Sequence, residues 1–225
     1  MRFHIFSIVI TAVHVLTVAA VSVQAQSPDN TPQGVASDPE LEKLLEPIRA
    51  EHKVPGLIAG IVRQNGLSSV AAVGRRKAGA DERLTVHDRF HIGSDTKAMT
   101  ATHLALLVEK GKLTWQSTLA DLFPRWQAEM HPDFQKVTVD QLLSHRAGIK
   151  DDGALWQTGS GTVIEQREVL MKRTLAAAPA YPPSTKFLYS NFGYIFAGHI
   201  VEELLGQSWE TAITEDLFQK LEMPS

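Results

Sequence analysis

"FHIGSDTKAM", residues 90–99, sets a serine and a lysine three positions apart directly after a glycine. In a helix that begins here, Ser94 lies on the first turn and Lys97 follows on the same face, so hydroxyl and amine can meet. Such a pair is a nucleophile beside a candidate base. Alone it decides nothing, because with 14 Ser and 11 Lys in 225 residues a Ser-x-x-Lys spacing is expected about 0.7 times by chance. The competing reading makes Ser94 a helix N-cap, its oxygen accepting from the amide of Thr96 or Lys97, with Lys97 solvated.

Working outward, "TKAMTATHLALLVEKG" is almost wholly apolar and stops at Gly111, which predicts a buried helix with Ser94 at its head. Upstream, Asp38-Pro39 marks a helix start, and Leu41, Leu44, Leu45 and Ile48 form an apolar stripe that Pro47 is expected to bend or shorten. "GLIAGIVRQNGLSSVAAVG" follows as two β-rich runs around Asn65-Gly66, a hairpin signal. Downstream, Thr138 and Gln141 in "VTVDQLLSH" have capping-box spacing. "VIEQREVLMKRTLAAA" is an amphipathic helix, "APAYPPSTKF" a break, and "FGYIFAGHIVEELLG" and "SWETAITEDLFQKLEM" are two further helices divided by Gly206.

The first 25 residues stand apart. They hold one positive charge, Arg2, a long apolar run, no acids, and small residues at Val23 and Ala25, the pattern of a secretory signal peptide cut after Ala25. The expected location is periplasmic or secreted, with no stable membrane span after cleavage. A retained anchor is the alternative, opposed by His14 and the lack of a basic flank. Residues 26–38 are polar, with Pro and Gly, and read as a linker before a domain spanning 39–225. Hydrophobic residues make up 44% and charged residues 21%, ordinary globular composition. Formal net charge is −3, or −4 once Arg2 is removed. "GRRK" at 74–77 is the only cationic run and reads as a solvated turn, so nucleic acid is not an expected partner. With no cysteine in the chain, disulfides and thiolate catalysis are excluded.

A second motif changes the weight of the first. "FLYSNFGY" places Tyr189 and Asn191 around one residue at a breaker-to-helix turn, and with 3 Tyr and 3 Asn in the chain the Tyr-x-Asn spacing is expected roughly 0.04 times by chance. Ser94-x-x-Lys97 after a hairpin, "LLSHRAGI" at 142–149, and Tyr189-x-Asn191 together resemble the serine penicillin-recognising hydrolases. The nearest branch holds class C β-lactamases, D-alanyl-D-alanine carboxypeptidases, β-lactamase-like esterases and LACTB-type hydrolases. The resemblance is collinear over roughly residues 40–224, and departs at Ser184, where relatives usually carry glycine. It implies an α+β fold of the β-lactamase/transpeptidase type, an antiparallel sheet flanked by helices with an inserted helical region and the site in the cleft. It also implies a third motif on a later strand that supplies one oxyanion donor. "KAG" at 77–79 precedes the nucleophile and cannot be that motif, so the sequence is expected to be an N-terminal part of a longer protein, without the C-terminal sheet strands.

The chemistry expected of these residues is acyl transfer, active at full length and impaired in this truncated form, which lacks one oxyanion donor. Ser94 is the nucleophile, at a helix N-terminus that favours negative charge. Lys97 and Tyr189 share the task of accepting its proton, with the base between them left open. Asn191 holds Lys97 and binds a substrate amide. The substrate is a small acyl compound, a β-lactam, a D-Ala peptide or an ester, and neither cofactor nor metal is required. The alternatives are a penicillin-binding sensor or carrier that is acylated without turnover, and an inactive fragment. Among the histidines, His87 and His91 would share a helix face but lack a third ligand nearby and read as structural. His145 reads as structural near the cleft, His103 and His199 as core or surface residues, and Trp156 as either a cleft or a packing residue.

Overall fold

The computed structural model describes residues 36–153 and 159–223. The expected signal peptide, most of the linker and Trp156 lie outside them.

Helix α1, Pro39–Glu51, starts where expected: Asp38 is extended and its carboxylate accepts from the amides of Glu40 at 2.9 Å and Leu41 at 3.4 Å. The helix is not shortened at Pro47 but runs on to Glu51, since a proline near the end of a helix removes only one bond of the ladder. Its apolar stripe is divided. Leu45 and Leu41 pack on Leu57, Ala59, Ala71 and Val73, whereas Leu44 and Ile48 are 66% and 47% exposed, because only one row of the stripe faces the hairpin.

That hairpin is β1, Gly56–Arg63, and β2, Gly66–Gly74, paired antiparallel from Gly56–Gly74 to Arg63–Gly66. The two-residue turn is therefore Gln64-Asn65, one position earlier than the sequence suggests, and Gly66 takes the positive φ of 105° that suits glycine. A bulge falls between Ile61 and Val62. The Asp38 amide donates to the Val70 carbonyl at 2.8 Å, and the Ser69 hydroxyl donates to the Asp38 carboxylate at 2.5 Å, tying the head of α1 to β2.

The remaining elements form a helical layer. Helix α2, Asp95–Glu109, closes at Gly111 with φ 68°. It is buried on one side only: Thr100, His103, Leu104 and Leu107 face inward, while Ala98 and Thr102 are exposed. Short helices α3, Leu119–Leu122, α4, Pro132–Gln135, and α5, Val139–Leu143, precede α6, Val163–Ala176, and α7, Asn191–Leu205. The capping box at α5 forms as its spacing predicts: Thr138 accepts from the Gln141 amide at 3.2 Å, and Gln141 accepts from the Thr138 amide at 3.0 Å. Gly206 ends α7 with φ 68°. The last expected helix is instead a five-residue α8, Trp209–Ile213, followed by a π-type turn, Thr214–Phe218, where Asp216 reaches His103 and Lys110 of α2, both at 3.1 Å.

Helix α7 is the axis of this layer. Phe192, Phe196, Ala197, Ile200 and Val201 are fully buried with Leu104 and Leu107 of α2, Leu142 of α5 and Met171 of α6. Each large side chain so buried contributes about 1.5–3 kcal/mol. His103 and His199 both belong to the core. His199 stacks on Phe123 and Trp126, at 5.6 Å from each ring, and its Nδ1 lies 2.8 Å from the buried Glu202 carboxylate. The architecture is α+β, with the site at the heads of α2 and α7.

Candidate active site

Ser94 heads α2, yet it does not cap it. Its backbone is helical, φ −73° and ψ −5°, and its side chain makes no capping bond. A capping serine needs an extended backbone to fold its oxygen back over the first turn, so the N-cap reading of the sequence is overturned. The hydroxyl instead points away from the helix. Its oxygen lies 2.7 Å from the Tyr189 hydroxyl and accepts from Lys97 Nζ at 3.2 Å. Among the described residues, the Ser94 amide donates to no group.

Lys97, one turn on, donates to Asn191 Oδ1 at 2.7 Å and sits 4.9 Å from the Tyr189 ring and 5.5 Å from that of Tyr194. Tyr189 and Asn191 arrive together because the extended Ser190 turns the chain into α7, its hydroxyl accepting from the Gly193 amide at 3.1 Å. Two residues from the loop after α5 brace that turn. His145, at φ 59°, accepts from the Ser190 amide through Nδ1 at 3.2 Å and packs its ring 4.5 Å from that of Tyr189. Asp151 accepts from the Ser190 hydroxyl at 2.7 Å, the Asn191 amide at 2.9 Å, Asn191 Nδ2 at 2.8 Å and the Phe192 amide at 3.0 Å.

The charges are arranged around one cation. The neighbouring Lys97 ammonium, and then the Ser94 hydroxyl, hold the Tyr189 phenol below its usual range against burial. Burial, and then the Lys97 charge, lower the His145 pKa, opposed by Asp151. Asp151 is half-buried, which alone would raise its pKa, but its four hydrogen bonds prevail and keep it low. Ser94 is exposed and Tyr189 is 47% exposed, so both hydroxyls are open to solvent. A hollow of about 280 Å³ opens beside Lys97 and Asn191, lined also by Thr96, Tyr194 and Trp209. A larger hollow, about 840 Å³, lies between α1, β2 and residues 83–87 and touches none of these groups; size here does not mark the chemistry.

A family model described as Beta-lactamase matches residues 41–225. The chain belongs to the Beta-lactamase family. Among its relatives is penicillin-binding protein 4 of Amycolatopsis lactamdurans, 33% identical over 180 residues, which are 80% of this chain and 46% of that protein. Among solved structures, SurE with D-Leu superposes with TM-score 0.68 at 30% identity, over 81% of this chain and 40% of that one. The D-alanine carboxypeptidase AmpC from Burkholderia cenocepacia does so with TM-score 0.65 at 26% identity, over 81% and 47%. The chain thus spans less than half the length of each.

In this Beta-lactamase family chain the four site residues expected from sequence lie within one hydrogen-bonded cluster. His87 and His91 are not part of it: residues 86–92 form no helix, and both side chains are exposed. Asp151 is the residue that sequence reasoning misses. It sits in "GIKDDG" with no local pattern, and its contacts lie 39 to 41 positions away. Ser184, where the resemblance leads one to expect glycine, has φ 68°, a conformation that a side chain disfavours. Its hydroxyl accepts from Gln141 Nε2 at 2.7 Å.

Proposed function

We propose that this chain carries the acylation machinery of a serine hydrolase. Its substrates are small carbonyl compounds of the β-lactam, D-alanyl peptide or ester class, and Ser94 forms the acyl-enzyme. The observation that carries the reading is the placement of the Ser94 oxygen between the Tyr189 hydroxyl and Lys97 Nζ. An ammonium is a donor only, so the Ser94 oxygen accepts from Lys97 and keeps its one hydrogen free for Tyr189, whose oxygen is 2.7 Å away. The lowered Tyr189 pKa raises the share of phenolate, the form able to accept that hydrogen.

In the first step the Ser94 oxygen bonds to the carbonyl carbon, its proton passes to the Tyr189 phenolate, and the carbonyl electrons move onto the oxygen. The Ser94 amide and the N-terminal end of α2 stabilise that charge. Collapse expels the amine or alkoxide, which takes the proton back from Tyr189. Water then attacks the ester by the same route. The Asn191 amide, with one Nδ2 hydrogen on Asp151, has a second for a substrate carbonyl. The names of the relatives, a penicillin-binding protein and a D-alanine carboxypeptidase, make β-lactams and D-alanyl peptides the first compounds to try.

The test is incubation of the chain with a fluorescent penicillin, followed by mass spectrometry of the labelled peptide. A covalent adduct on Ser94, absent in Ser94→Ala, supports the reading, and no adduct on Ser94 ends it. Release of the label over minutes marks a hydrolase, whereas retention marks a penicillin-binding sensor. We also propose export through residues 1–25, for which N-terminal sequencing of the mature chain should begin at Gln26.

A further inference from the structure

We propose that Asp151 is a positioning residue of this site: its carboxylate holds the Asn191 side-chain amide in the one orientation that offers Lys97 an acceptor. The argument is one of donors and acceptors. Lys97 Nζ, 2.7 Å from Asn191 Oδ1, has only hydrogens to give. An ionised Asp151, 2.8 Å from Asn191 Nδ2, has only lone pairs. The amide between them carries one of each and satisfies both neighbours in a single way. Turned over, it would set its NH2 against the ammonium and its carbonyl against the carboxylate, losing two charge-assisted bonds at once.

The contact is more than a helix cap. Ser190 already caps α7 through the Gly193 amide, and Asp151 bonds the backbone of Asn191 and Phe192 as well as the Ser190 hydroxyl. The bond to Nδ2 is the one that reaches the chemistry, because it sets where Asn191 Oδ1 points. That atom in turn fixes Lys97, which donates to the Ser94 oxygen. Asp151 therefore acts on the nucleophile through two intermediate side chains, without facing the substrate.

The experiment uses the full chain with Asp151→Ala, the isosteric Asp151→Asn, Asn191→Ala and the double variant Asp151→Ala/Asn191→Ala, each first shown to unfold cooperatively. The activity arm rests on the proposed function and measures Ser94 acylation by a fluorescent penicillin. Asp151→Ala and Asn191→Ala are each expected to slow it by about 10- to 100-fold, and the double variant to be no slower than Asn191→Ala alone, since a residue acting through Asn191 has nothing left to act on. Multiplying losses would overturn the proposal.

The second arm needs no turnover. In 1H–15N spectra the Asn191 side-chain NH2 pair, assigned by its loss in Asn191→Ala, is expected to be slow to exchange in the parent chain. It should move and exchange at least tenfold faster in both Asp151 variants. An unchanged pair would overturn the inference even if the penicillin labels Ser94. A shifted pair would uphold it even if no acylation is found and the proposed function falls.

Discussion

Ser94 and Ser190 both stand at the head of a helix and do opposite work. Ser190 is extended, φ −140° and ψ 130°, and spends its hydroxyl on the first turn of α7 and on Asp151. Ser94 is helical, φ −73° and ψ −5°, leaves its first turn uncapped, and turns its hydroxyl to Lys97 and Tyr189. Residue type and position on the helix are the same. The backbone dihedrals decide which oxygen is structural and which is available for bond making, since an extended serine reaches back over its helix and a helical one does not.

The largest effects that would break this contrast lie on the chemical side. Ser94→Ala should abolish acylation, a loss of roughly 10⁴-fold or more, while the midpoint of chemical denaturation stays within about 0.5 kcal/mol of the parent, because no cap is removed. A destabilised Ser94→Ala would place that hydroxyl among the structural ones. Tyr189→Phe keeps the ring against His145 and removes only the proposed proton acceptor, so stopped-flow acylation should slow by about 10²- to 10⁴-fold. Ser190→Ala should show the reverse profile to Ser94→Ala, losing about 0.5–2 kcal/mol of stability with acylation still measurable.

Acidity sharpens the same comparison. The His145 Nδ1 that accepts from the Ser190 amide must be unprotonated, and the folded-state pKa lies below the ordinary 6.5 through burial and the nearby Lys97, with Asp151 opposing. A depressed folded pKa means that the stability contribution of His145 is whole above about pH 6.5 and is lost as pH falls through the folded value. Melting temperature plotted against pH should therefore drop less steeply below 6.5 in His145→Asn than in the parent. The smallest expected effect is at Ser184. Glycine there should relieve the positive φ and raise stability by about 0.5 kcal/mol; a decrease in the denaturation midpoint would show that the bond from Gln141 outweighs the strain.

Much of this was legible in the residues themselves. Asp38-Pro39, Thr138 with Gln141, Gly111 and Gly206 are local signals, and each helix boundary they predict forms. The four candidate residues can be picked out because two motifs, each at a helix head, must converge if either is chemical, and they do meet. What the sequence withheld is what neighbours decide. Leu44 and Ile48 fit the apolar stripe as well as Leu41 and Leu45 do, but no periodicity says which row meets the hairpin. Ser94 has the residue type of a cap, and only its backbone dihedrals remove it from that role. Asp151 reaches Asn191 across 40 positions, a separation over which no spacing rule operates.

The two helix heads that present Ser94 and Asn191 belong to α2 and α7, whose inner faces share one core around Leu104, Leu107, Phe196 and Ile200. They behave as the jaws of a caliper set by the tightness of its pivot. A void left by trimming any of those interior side chains would shift the gap between the jaws by tenths of an ångström. A screen of random variants for lost acylation should accordingly return interior positions such as Leu107 and Ile200 alongside Ser94.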